Sequence, residues 1–325
     1  MAEESKSTVL AAMGVNLAIA VGKLAAGLIV HSSALLAEAG HSLADTVNQV
    51  FLLIGINLSH NTADEVHPHG YGKEGFFWSF LAAIFIFVAG AAFSFYEGIR
   101  AIIQDEHGSR SLGELAVGFG VLAMAFVFES VSFMVAVRSI RKGARDKGWT
   151  FAQYIRRSPD LSTKTVFWED SAALIGLALA AAGLGLTEAF HAEHWDGIAS
   201  MGIGVVLTVA ALILGAQSRS LLLGAAASDD VRQAIRETVT SFPDVTHIVR
   251  LLTMQLGTHS VLVTGEIEVR RHMDTEEIED LVTKIDAQLA KTVPEVSDTF
   301  WELRRSPPNP ASPELESPAL APHPD

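Results

Sequence analysis

The chain has 325 residues, of which 49% are hydrophobic, 18% charged and none cysteine. An ordinary soluble domain carries about 25% charged residues. The missing thiol removes disulfide scaffolds, thiolate zinc fingers, iron–sulfur ligation and cysteine nucleophiles together. A net charge of −14 argues against nucleic acid as a partner, because phosphate backbones are gripped by concentrated Lys and Arg.

The apolar residues lie in blocks of roughly 22–28 residues, each long enough to cross a hydrocarbon core of about 30 Å as a helix. They cover about 8–30, 34–58, 76–99, 112–137, 166–190 and 198–223. The pattern predicts an α-helical membrane protein with a six-helix transmembrane domain over 1–224, since backbone groups in lipid must bond within their own segment. A soluble bundle rarely keeps its helices apolar all round for this length. The first block is too long for a signal-peptide core and has no basic leader, so it reads as an uncleaved span.

Loop charge sets the orientation. The fourth connection carries Arg138, Arg141, Lys142, Arg145, Lys147, Arg156, Arg157 and Lys164, whereas 191–196 holds no Lys or Arg. The basic connection is therefore cytoplasmic, and six spans put both termini there too.

Beyond Leu223 the composition becomes soluble-type, with 15 Asp or Glu and 7 Lys or Arg over 229–303. The order of elements reads as helix (229–242), two strands (246–256 and 259–269), helix (275–293) and strand (296–303). Asp274 is the expected cap of the second helix. This predicts a small α+β, ferredoxin-like domain with its helices on one face of a three-stranded sheet. The Pro-rich segment 304–325 reads as a disordered tail.

Ionisable residues at bilayer depth are expensive and mark an ion or proton path by default. The second block carries Glu38, His41, Asp45 and Asn48 at spacings of three, four and three, which puts them on one helical face. His41 and Asp45 can reach one ion together, or form a hydrogen-bonded pair that joins helices. The fifth block opens with Trp168-Glu169-Asp170-Ser171. Adjacent acids diverge by about 100°, and Asp170 is expected to point inward with Glu169 as a helper. Lys23, in the first block, is expected to snorkel or to pair with an acid, and Glu97, Glu129 and Asp196 read as helix-pairing or span-end residues. His41, Asp45 and Asp170 would offer an imidazole and two carboxylates, a set suited to Zn²⁺, Mn²⁺ or Fe²⁺ and unsuited to Cu(I). The chain has no nucleophile elbow or P-loop, so no enzyme activity and no prosthetic group are expected.

The segments 33–46 (SALLAEAGHSLADT), 67–74 (HPHGYGKE), 96–99 (YEGI) and 196–200 (DGIAS) resemble the cation diffusion facilitator family of divalent-metal/proton antiporters. The likeness runs over about 8–303 and is similar in detail to the divergent zinc-transporter-like subfamily with Glu-Asp in its fifth span. It implies efflux of a divalent metal, Zn²⁺ before Mn²⁺, Fe²⁺ or Co²⁺, in exchange for protons, by a homodimer joined through the C-terminal domain. His41, Asp45 and Asp170 match the ligands expected between the second and fifth spans. The usual partner four residues before Asp170 is here Val166, which leaves Glu169 or a water as the fourth ligand. Tyr71 stands where the loop motif has His, so His67 and His69 form a loop metal site or a structural turn. His247, His259 and His272 read as ordinary surface or strand residues. A transport-inactive membrane scaffold and a metal-responsive regulatory protein of the same fold are the alternatives. Short loops and the absence of cysteine point to a bacterial inner membrane.

Overall fold

The computed structural model describes residues 2–104, 110–192 and 194–305. The chain divides into two compact units at Gly224 and Ala225.

The first unit is built from long helices: α1 (Ala2–Val30), α2 (Ser33–Ser59), α3 (Glu74–Phe85), α4 (Ala92–Gln104), α5 (Leu112–Asp146), the short α6 (Phe151–Arg157), α7 (Leu161–Phe190) and α8 (His194–Leu222). Between α3 and α4 the chain stays helical but widens into a π-helical segment, Ile86–Ala91, so the two read as one interrupted rod. Gly90 in that segment leaves room for Leu207 of α8. Among the described residues, four stretches are long and apolar enough to cross a membrane: Glu74–Ile103, Leu112–Asp146, Thr163–Phe190 and His194–Leu222. Among the described residues of α1, Asn16–Val30 is a shorter apolar stretch, and α2 is diluted by its polar face.

Caps fix where the helices begin. Ser111 and Glu114 exchange hydrogen bonds as a capping box on α5, as Thr150 and Gln153 do on α6, and Asp160 accepts from Thr163 N at the start of α7. One sequence expectation needs correction here. The segment 138–164 is not a plain connection: α5 continues to Asp146, α6 follows, and Lys164 already belongs to α7. Arg and Lys are good helix formers, so their charge marks the membrane boundary and not the end of the helix. Lys164 is buried and its ammonium donates to the carbonyls of Ile155 (3.3 Å) and Ser158 (2.6 Å), which closes the end of α6.

α2 sits in the middle of the unit, packed against α1, α3, α4, α7 and α8. Its first turn is held by Asp196 of α8. The Asp196 carboxylate accepts from Ser32 Oγ (2.8 Å), Ser33 N (2.5 Å), Ser33 Oγ (2.9 Å) and Ala34 N (3.3 Å). An anion at a helix N-terminus meets both the free N–H groups and the positive end of the macrodipole. Next to this clamp, Gly98 of α4 and Gly197 of α8 pack backbone to backbone, each lying where a side chain would strike the other's carbonyl oxygen. Small residues of this kind let membrane helices approach closely. α5 lies at the edge, against α1 and α7, with Phe119, Phe126, Phe128, Val131 and Met134 exposed, as a lipid-facing surface requires.

The second unit has the predicted order: α9 (Asp229–Thr240), β1 (Val245–Gly257), β2 (Ser260–Val269), α10 (Thr275–Thr292) and β3 (Val296–Leu303). The sheet order is β1-β2-β3, with β1 antiparallel and β3 parallel to β2. Alternation on β2 sends Val261, Val263 and Ile267 into a core with Ile235 and Val239 of α9 and Leu281, Ile285 and Leu289 of α10. Asp286 of α10 ties down β3 by accepting from Thr299 Oγ1 (2.7 Å) and Trp301 Nε1 (2.9 Å), and the Trp301 ring covers Gly265. The tail expected from 304 falls outside the described residues from 306 onward.

Asp196→Ala strands four donors at the head of α2, at a cost of about 1–3 kcal/mol for buried groups left unpaired. Thermal unfolding in detergent should show a lowered midpoint, with an unchanged midpoint arguing against the clamp.

Candidate functional site

Glu38, His41, Asp45 and Asn48 of α2 form one buried face, as a 3.6-residue period demands. His41 is 1% exposed and Asp45 8%. Glu169 (6%) and Asp170 (8%) of α7 are also buried. The two helices meet where Asn48 Nδ2 donates to Glu169 Oε1. Asp45 lies within electrostatic reach of Glu169, Asp170, Glu129 of α5 and Lys23 of α1. The structure therefore brings His41, Asp45, Glu169 and Asp170 to one region.

The unsatisfied atoms in this region are informative. Both ring nitrogens of His41, Asp45 Oδ1, Asn48 Oδ1 and Asp170 Oδ2 are buried without a hydrogen-bond partner. His41 Nδ1 lies 3.4 Å from Asp45 Oδ1, but not in hydrogen-bonding alignment. Buried polar atoms are almost always paired, so a concentration of bare lone pairs on facing helices is an uncompensated desolvation cost. A cation offsets it. Among the described residues, no three His, Asp or Glu side chains converge tightly enough to hold an ion in this conformation.

The two adjacent acids of α7 diverge as the helix requires. Glu169 makes the direct bridge to α2 through Asn48, whereas Asp170 lies beside Ser132 of α5. Sequence reasoning put the greater weight on Asp170; the structure gives Glu169 the closer tie to α2. Val166, one turn earlier, offers no donor.

Lys23 pairs with an acid instead of reaching the interface. Its ammonium lies 2.9 Å from Glu38 Oε2 and donates to Ser42 Oγ at 2.8 Å, with both charged side chains fully buried. Gly176 of α7 makes this possible: a Cβ there would collide with Glu38 Oε1. Nothing in the spacing of Gly176 signals that role. Glu97 lies 3.5 Å from Arg100 on its own helix, and Asp196 is the clamp on α2. Those two acids are structural.

His67 and His69 lie in the exposed loop before α3. Here Asp64 accepts from Val66 N (3.0 Å), His67 N (2.6 Å) and the Tyr71 hydroxyl (2.7 Å), and the His67 and Tyr71 rings lie 4.2 Å apart. Tyr71, which replaces the histidine of the loop motif, thus closes a turn. The hydrogen bond from Tyr71 holds the Asp64 carboxyl below the usual carboxylate range, and the same bond raises the Tyr71 phenol above its ordinary value. His247, His259 and His272 of the second unit are exposed and belong to no cluster of metal-binding side chains among the described residues.

Comparison with known proteins decides the family. Residues 9–223 match the model of the cation efflux transmembrane domain, and residues 227–301 match that of the cytoplasmic domain of cation efflux proteins. The chain belongs to the cation efflux family. It is 32% identical over 269 residues to the mitochondrial proton-coupled zinc antiporter SLC30A9 of Xenopus laevis, covering 81% of this chain and 47% of that one. It is 35% identical over 198 residues to metal tolerance protein C4 of Arabidopsis thaliana, covering 61% of this chain and 42% of the relative. Against the cation-efflux pump FieF of Serratia proteamaculans the identity is 27% over 315 residues, 92% and 97% of the two chains. The chain thus spans about half the length of its SLC30A9 relatives and nearly all of the FieF pump. In cation efflux terms, the second unit is the cytoplasmic domain.

The loop turn makes a spectroscopic prediction. Tyr71 is one of three tyrosines, so phenolate absorbance can follow it. Tyr71 should ionise above about pH 10, the ordinary phenol value, and Asp64→Asn should bring it back down. An identical titration in wild type and variant would dismiss the bond.

Proposed function

We propose that this chain exports a divalent metal, Zn²⁺ in preference to Mn²⁺, Fe²⁺ or Co²⁺, in exchange for protons. The carrying observation is the set of buried metal-binding side chains on α2 and α7: His41, Asp45 and Asp170, each with a ring nitrogen or carboxylate oxygen that has no hydrogen-bond partner, beside Glu169, which is bonded to Asn48. The names of the relatives, a proton-coupled zinc antiporter and a cation-efflux pump, support the same reading. His67 and His69 belong to the turn before α3 in this account and take no part in transport.

Imidazole with carboxylates suits Zn²⁺, and few protein ligands suit an ion that must leave again. Metal binding requires these groups to be deprotonated and so releases protons. An imidazole, with an ordinary pKa of about 6.5, exchanges one near neutrality. In the cytoplasm-facing state the ion displaces protons from His41 and the carboxylates. α2 then moves against α7, and protons from the far side displace the metal. Asn48 bridges the two helices through Glu169 in this conformation. The protein works as a homodimer through its cytoplasmic domain, with both termini on the cytoplasmic side of a membrane that carries an inward proton gradient, as the bacterial inner membrane does.

Purified protein in proteoliposomes tests this. Wild type should accumulate Zn²⁺ when a proton gradient is imposed and lose most uptake when the gradient is collapsed. His41→Ala and Asp45→Ala should each lower the flux by about tenfold or more, since each removes a ligand. Flux indifferent to the gradient would refute the coupling. A protein that neither binds nor moves Zn²⁺ would be a membrane scaffold of the same fold.

A further inference from the structure

The Lys23–Glu38 pair lies on the same polar face as the proposed site, one helical turn from His41 toward the head of α2. We propose that Lys23 is a tethered cation that occupies a second acidic station on the ion's path, keeping a departing metal from lodging at Glu38. The inference rests on the transport reading above and names a positioning residue for it.

Four observations carry it. The Lys23 ammonium and the Glu38 carboxylate are both fully buried and 2.9 Å apart, so Glu38 is already neutralised by a charge that cannot leave. Glu38 Oε1 has no hydrogen-bond partner and lies over Gly176, which leaves it space. It is therefore a bare carboxylate oxygen in a prepared gap, well suited to a cation. Lys23 is also within electrostatic reach of His41, Asp45 and Glu129, so its charge opposes any cation bound there. Ser42 accepts a hydrogen bond from the ammonium at 2.8 Å, which fixes the charge on this side of the helix.

The groups facing Lys23 and Glu38 are thus His41, Ser42 and Asp45 of α2, Glu129 of α5 and Gly176 of α7. In a low-dielectric interior a fixed unit charge several ångströms from a divalent ion weakens its binding strongly. Without Lys23, the ion itself becomes the partner of Glu38. A site meant for release would then become a trap.

An ion pair that merely joins α1 to α2 and a pair that tunes the ion path give different signatures. The test is calorimetric Zn²⁺ titration of the purified full chain, paired with Zn²⁺ flux in proteoliposomes. Lys23→Gln, which keeps hydrogen-bonding capacity and removes charge, should tighten Zn²⁺ binding by about tenfold or more while lowering both KM and the maximal rate. Glu38→Gln, which leaves the ammonium unopposed, should weaken binding by a comparable factor. The double variant should return to within about threefold of wild type, because both charges vanish together. Opposite shifts from the two single variants establish the proposal. Shifts in the same direction, or none in either, overturn it and leave the pair as a helix joint. If Lys23→Gln does not fold, weaker binding in Glu38→Gln still supports the inference, and unchanged or tighter binding overturns it. Wild type that binds no Zn²⁺ overturns the transport reading and this inference with it, whereas wild-type binding with silent variants overturns this inference alone.

Discussion

A charged side chain carried into hydrocarbon must bring its partner or find one there, and that constraint organises the helical unit. α2 holds Glu38, His41, Asp45 and Asn48 on one face, too costly a stripe to leave against lipid. It is accordingly the helix that the others surround, while exposed apolar side chains suited to lipid lie on α1, α3, α4, α5 and α8. The bundle is arranged to bury one polar face.

Three solutions to the same cost stand side by side. Asp196 is satisfied by the head of α2, whose serine hydroxyls and backbone N–H groups donate to its carboxylate. Glu38 is satisfied on one oxygen by Lys23. His41, Asp45 and Asp170 are left with bare atoms. The first is static, because its donors cannot move without unwinding a helix. The second is a fixed charge balance. The third leaves open lone pairs on both α2 and α7, and the proposed transport chemistry is assigned to it. Buried unsatisfied groups lower stability, and proteins commonly keep such local deficits where function needs them.

Much of this was legible in the sequence. The length of the apolar blocks, the spacing of 38, 41, 45 and 48, the caps and the α-β-β-α-β order all follow from periodicities of 3.6 and 2.0 and from capping chemistry. The motif residues 33–46 and 196–200 also carried the family. What was hidden depended on contacts between distant segments. Asp196 read as a helix-pairing or span-end residue without named partners, because Ser32 and Ser33 lie far away in the chain. Gly176 looked like any small residue in an apolar run, since its use is defined only by Glu38 across the interface. The continuation of α5 through Arg138–Asp146 was missed because charge ends a membrane span without ending a helix. The division of labour between Glu169 and Asp170 could not be read either, as it depends on Asn48, which bonds Glu169 from another helix.

The central claim is that a divalent ion rests between α2 and α7 on the imidazole of His41 and neighbouring carboxylates. Diffraction from crystals of the zinc-loaded full chain, collected on both sides of the zinc absorption edge, tests it most directly. The account predicts an anomalous peak within coordination distance, roughly 2.0–2.2 Å, of a His41 ring nitrogen and of Asp45, with Glu169 or Asp170 completing the set. Zinc density confined to the loop at 64–71 or to the cytoplasmic domain, with His41 still bare, would contradict it.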